Sequence, residues 1–148
     1  MTLQLDGFEE MIKKLEKAGR NVDFEVEKCF SQCAKVMTET LIEKAEAANL
    51  DQNLIEKIER EKWHKFGKFH FAVGWEKVKR TYGSDPLPDV YKVMFYNYGT
   101  PVRTTKSGEN RGEERGRGFI KKAKLASKNK VRKIQRDFLA NVMKELER

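Results

Sequence analysis

Two cysteines and two histidines could do chemistry together, because their residue content matches a Cys2His2 zinc site. Cys29 and Cys33 stand four apart, and His64 and His70 follow after a gap of about thirty residues, longer than finger-type spacing. His70 also belongs to a segment that alternates like a strand. Both cysteines fall on an apolar helical stripe, where thiols pack as small hydrophobes. Core thiols are the simpler reading, and no metal or other cofactor is expected. No serine or cysteine sits in a recognisable nucleophile–base motif, and no Walker- or Rossmann-type glycine loop follows a hydrophobic strand. Gly116-Arg117-Gly118 supplies glycines without that strand. The chain is therefore expected not to be an enzyme.

Charge carries the stronger signal. The 148 residues have a net charge of +8 and 36% of them are charged. The isoelectric point is about 9.5. From Val102 to Arg136 there are 13 basic residues and 3 acidic ones, so the remainder of the chain is near neutral. The basic residues singled out as facing a partner or DNA are Arg103, Lys106, Arg111, Arg115, Arg117, Lys121, Lys122 and Lys124. Three readings stay open for them. The segment could track a phosphate backbone non-specifically, with Phe119 stacking on a base. It could be a solvated face kept soluble by lysines. It could order against an acidic neighbour during assembly.

These residues need elements to hold them. Asp6 and Glu9 read as a capping box for a short helix through Phe8, Ile12 and Leu15, ending near Gly19. A long amphipathic helix follows from Val22 to about Ala48, striped by Val26, Cys29, Phe30, Cys33, Val36, Met37, Leu41 and Ala45. Asn49 to Asn53 breaks it. Leu54, Ile55 and Ile58 fit further helical turns or a ragged strand. Phe69, Phe71, Val73 and Trp75 alternate, which predicts a strand. A loop over Glu76–Asp89 leads to a second expected strand, Val90 to Tyr98, rich in Val and aromatics. Tyr96 and Tyr98 on its outer face suit an interface. A mobile basic loop is expected at about 102–118, then a last helix from about Ile120 to Leu146.

The expected fold class is α+β: long amphipathic helices packed on one face of a small antiparallel sheet, in a single domain over 1–148. Two strands make a poor sheet. More could come from Ile55–Phe66, from the loop, or from a neighbouring subunit. Met1 to Gly7 has no basic or apolar run of signal-peptide type, and no stretch approaches the roughly 18 apolar residues of a membrane span. A reducing cytosol and no membrane are the expectation.

The order of segments resembles the head–tail joining, or neck and tail-component, proteins of tailed phages and prophages. Leu5-Asp6-Gly7-Phe8 with Met11, Ile12 and Leu15 matches their Leu-x-Gly-hydrophobic opening. The long helix matches theirs. Phe95-Tyr96-Asn97-Tyr98-Gly99-Thr100 matches the hydrophobic-x-Glu-(Phe/Tyr)-Gly-Thr signature that ends a strand in that family, with Phe95, Tyr98, Gly99 and Thr100 as its carried-over positions. Gly118-Phe119-Ile120-Lys121-Lys122-Ala123 stands where the family has Pro-Phe-hydrophobic-x-Pro-Ala. Asn97 departs from the usual acid, Gly118 and Lys122 from the usual prolines, and Asn49–Asn53 from a Pro-Thr-Gly element.

The resemblance implies a structural subunit of the head–tail junction, a ring oligomer such as a hexamer. Its partners would be copies of itself and neighbouring connector or tail proteins. It would be found in the bacterial host cytoplasm during assembly and in the virion neck or tail. Arg103 to Lys124 would be disordered in the monomer and order on assembly. The alternative is a basic nucleic-acid-binding module.

Overall fold

The apolar stripe of the long helix makes the spine of the molecule. The computed structural model describes residues 2–3, 8–17, 19, 22–65, 68–76, 87–110 and 112–147. Helix α1 spans Phe8–Lys17 and helix α2 spans Val22–Ala47. Asp6, and with it the expected capping box and the Leu5-Asp6-Gly7 opening, lies outside the described residues, as do residues 77–86 of the expected loop. Val26, Cys29, Phe30, Cys33, Met37, Leu41 and Ala45 of α2 are buried at the spacing of one helical face. The helix stops at Asn49, whose φ of 53° is left-handed. Leu50 N–H donates to Ala45 O at 3.0 Å and Asn49 N–H to Glu46 O at 2.8 Å. This bond pair is a Schellman cap, and buried Leu50 closes it over Ala45.

Asp51 then accepts from Asn53 N–H at 2.9 Å and caps a single-turn helix, α3 (Gln52–Ile55). Leu54 and Ile55 bury themselves there. The chain continues into a hairpin of β2 (Glu59–Lys65) and β3 (Lys68–Gly74), paired antiparallel from Glu59↔Gly74 to Lys65↔Lys68. Leu54 and Ile55 thus take the helical alternative, Ile58 lies between the two elements, and the extra strand expected within Ile55–Phe66 is β2. A two-residue strand, β1 (Thr2–Leu3), pairs with the other edge of β3 and gives the order β1-β3-β2. Phe71 and Val73 of β3 point into the core, as the alternation predicts. Phe71 meets Phe30 of α2 with ring centroids 5.1 Å apart.

The last helix, α5 (Phe119–Leu146), packs along α2. Phe119, Ala123, Ser127, Val131 and Val142 form its buried stripe. Ala123 and Ser127 are small, so the two backbones can approach closely. The fold is α+β, with long helices α2 and α5 packed together over a small antiparallel sheet.

One expected element is overturned. Asp89–Tyr98 is a helix, α4, and not a strand. Alternation would bury Tyr91, Val93, Phe95 and Asn97 together. Val93 and Asn97, four apart, are buried, whereas Phe95 between them is 42% exposed. The β-branched and aromatic content of the segment is a weak prior that tertiary packing overrides. The start signal was present: Pro88 at the N-cap, then Asp89 in the first turn. Asp89 receives hydrogen bonds from Lys57, beyond α3, and from Lys92 at 3.0 Å. These bonds hold its carboxyl below the usual carboxylate range, Lys57 contributing most.

Candidate interaction surface at the Tyr98-Gly99 corner

Helix α4 ends where the chain must reverse. Gly99 takes φ 81° with its N–H on Phe95 O at 2.7 Å. The backbone of residues 114–116 passes against it so closely that a side chain fits on neither strand. A Cβ on Gly99 would lie 2.5 Å from Glu114 O, and a Cβ on Gly116 would lie 2.5 Å from the carbonyl carbon of Tyr98. Across this crossing Thr100 N–H donates to Glu114 O at 2.9 Å, and Glu114 N–H to Thr100 Oγ1 at 3.0 Å. Arg117 N–H donates to Tyr96 O at 3.0 Å and Gly118 N–H to Asn97 O at 2.9 Å. The Tyr98-Gly99-Thr100 signature is therefore a pinned corner.

Between the two ends of the crossing the chain forms a hairpin rather than an open loop. Arg103 N–H reaches Gly112 O at 3.0 Å, Thr105 N–H reaches Glu109 O at 2.9 Å, and Thr104 bridges Asn110. Lys106 and Arg103 are exposed on it, Arg115 is exposed at its base, and Arg111 lies outside the described residues.

Two residues bind the corner to the body. Asn97 is 4% exposed, and its Oδ1 accepts from Ile120 N–H at 3.0 Å. Residue Gly118, the N-cap of α5, has no side chain to offer, so Asn97 caps that helix from a distance. Arg117 points inward. Its guanidinium donates to Ala48 O, to Asn49 O at 3.1 Å and to Glu114 Oε1 at 2.9 Å, and it lies 4.7 Å from the Tyr96 ring centroid. A cation there satisfies carbonyls at the C-terminal end of α2. Phe119 is buried against Trp75, edge to face at 6.2 Å, while Trp75 Nε1–H donates to Leu54 O at 2.6 Å.

These placements correct the expected basic segment. Phe119 is a core residue and unable to stack on a base. Arg117 is committed to internal acceptors. Lys121, Lys122 and Lys124 lie in the first turns of α5 and are exposed. An unfolded Arg103–Lys124 is at odds with the fold of the single chain, since this stretch supplies Phe119 and Ala123 to the core. Sequence reasoning missed the capping role of Asn97 and pointed Arg117 outward. Nothing local marks either, because each acts on backbone brought near by the reversal at Gly99.

The corner exposes apolar side chains. Met94 (44% exposed), Phe95 and Tyr98 (69%) lie on the outer side of α4, and Val102 (55%) follows on the hairpin. Beside them opens a cleft of about 640 Å³ between α3, α4 and the hairpin, with Phe95, Lys57, Asp89, Arg103 and Glu114 on its wall. Two of its acids are paired, Asp89 with Lys57 and Lys92, and Glu114 with Arg117, while Asp51 and Glu56 also line it. Aromatic and Met anchors beside a charged rim have the anatomy of a protein–protein contact.

The thiols are spatially separate from this surface. Cys29 and Cys33 are fully buried. A hydrogen bond with Cys33, then burial, pushes the Cys29 thiol far above its usual range, so it stays protonated. Among the described residues no three His, Cys, Asp or Glu gather as a metal site, and the side chains of His64 and His70 lie outside the described residues. Among the same residues no helix is long and apolar enough to cross a membrane. No protein-family profile, curated protein or solved structure matches this chain.

Proposed function

We propose that this chain is a structural subunit of the tailed-phage head–tail junction, assembling as a ring with copies of itself and with neighbouring neck or tail proteins. The observation that carries the proposal is the apolar set Met94, Phe95, Tyr98 and Val102 on a corner pinned by the Gly99–Gly116 crossing. A ring subunit needs lateral surfaces that are formed before assembly, because pre-ordered anchors lose less entropy on docking. The corner meets that need: its side chains are exposed while its backbone is bonded on both sides. The resemblance in segment order supports the same role through the long helix and the last helix; at the Tyr98-Gly99-Thr100 signature the chain departs from it, ending a helix where the resemblance implies a strand.

Tyr98 gives the direct test. It is 69% exposed, so Tyr98→Ser should leave thermal stability nearly unchanged while self-association, followed by light scattering over a concentration series, is lost. Undiminished self-association in Tyr98→Ser and in Phe95→Ser would remove this surface from the assembly.

A further inference from the structure

The outer face of α5 differs in kind from the corner. We infer that it is a sequence-independent docking surface for the phosphate backbones of a nucleic-acid duplex. Lys121, Lys122, Lys128, Arg132, Lys133 and Arg136 are all exposed on it. Helical spacing places Lys121, Lys128, Arg132 and Arg136 in one row and Lys122 and Lys133 in the next. The row is about 22 Å long, roughly the rise of six base pairs. No acidic residue occurs between Glu114 and Asp137, and none of the six makes an ion pair with a described residue.

The energetics weigh against a merely solvated face. Solvated helix faces intersperse both signs, and cations four apart, such as Lys128 with Arg132 and Arg132 with Arg136, repel and weaken the helix. A repulsion that no described residue relieves through an ion pair fits an anion supplied from outside. The chemistry of the face selects the class of that anion. Protein interfaces deplete lysine and rely on buried aromatic anchors. Here Leu125, 62% exposed, is the sole large apolar residue among these cations. A phosphate backbone needs no such anchors, and its evenly spaced charges match a row of cations. With Asn129 as the only side-chain amide between the two rows, the face offers little means of reading bases.

This inference stands apart from the head–tail proposal, since it concerns α5 alone; Tyr98→Ser should leave it intact. The experiment is fluorescence anisotropy of the full chain with two short DNA duplexes of unrelated sequence, titrated at several salt concentrations. Both duplexes should bind alike. If four to six phosphates are neutralised, affinity should fall about 10²–10³-fold between roughly 50 and 200 mM salt. The combined variant Lys128→Gln, Arg132→Gln, Lys133→Gln should flatten the log–log salt slope by about 2–3, since each lost contact removes about 0.9. Lys121→Gln with Lys122→Gln tests the other end of the row and should act in the same direction. Arg103→Gln with Lys106→Gln on the hairpin should change little. Circular dichroism of each variant checks that α5 persists. Salt-insensitive binding, an unchanged slope in both α5 variants, or competition by polyglutamate equal per charge to duplex would overturn the inference.

Discussion

At the scale of single residues, the corner depends on atoms that are absent as much as on those present. Gly99 and Gly108 have nearly the same left-handed φ, 81° and 82°, yet a Cβ on Gly108 meets nothing within 4 Å. The pair separates strain from collision. Gly108→Ala is expected to cost about 1 kcal/mol, the conformational term alone, and Gly99→Ala about 3 kcal/mol or more, because backbone must move as well. Thermal unfolding should read these as melting shifts of roughly 4 °C per kcal/mol. Asn97 makes a second prediction. Asn97→Ala should cost about 1–2 kcal/mol by leaving Ile120 N–H without its acceptor. Asn97→Asp keeps that acceptor and adds negative charge at the N-terminus of α5, a favourable position. It should therefore lie within about 1 kcal/mol of the parent, since the dipole term offsets part of the carboxylate's desolvation. Equal losses in both variants would deny Asn97 its capping role. Its departure from the acid of the resembling family thus preserves an oxygen acceptor.

At the scale of elements, α4 is held to the body at both ends, by the Gly99–Gly116 crossing and by Asp89 on Lys57. The second link predicts a pH dependence of definite sign. Asp89 ionises at lower pH folded than unfolded, because Lys57 and then Lys92 donate to it. Its stabilisation is present above the ordinary carboxylate pKa and is lost as pH falls through the depressed folded value. Asp89→Asn should flatten that acidic limb of the stability curve, and added salt should do part of the same, since the pairs are solvent-screened. A limb unchanged in Asp89→Asn would assign it to other carboxylates. The same helix marks where the sequence was hard to read. Buried positions at helical spacing made α2, α5 and the stripe through Cys29 and Cys33 legible, and strict alternation made β3 legible. In α4 only Val93 and Asn97 are buried, so no apolar stripe exists, and its Val, Phe and Tyr content resembled a strand. The strand β2, written Glu-Arg-Glu-Lys-Trp-His-Lys, has no apolar alternation and exists through its pairing with β3. Exposure was legible only in part: Tyr98 and the lysines of α5 are exposed as expected, whereas Tyr96 is half-buried beneath Arg117, and Arg117 and Phe119 were misread because long-range contacts decide which way they point.

At the scale of the whole molecule, two exposed surfaces differ in chemistry. The Tyr98 corner presents aromatic and Met anchors on pinned backbone, suited to protein. The α5 face presents cations without an ion pair to any described residue, with one exposed apolar residue, and so suits phosphate. A ring built through the first would leave the second free, so assembly and duplex binding should be separable by substitution. Assembly is read by light scattering after size exclusion, on the unmodified chain over a concentration series with and without duplex DNA. A species whose mass converges on a fixed multiple of the 17.3 kDa subunit with rising concentration is expected, whether or not DNA is present. A monomer at every concentration, or an oligomer that forms only on DNA, would contradict it.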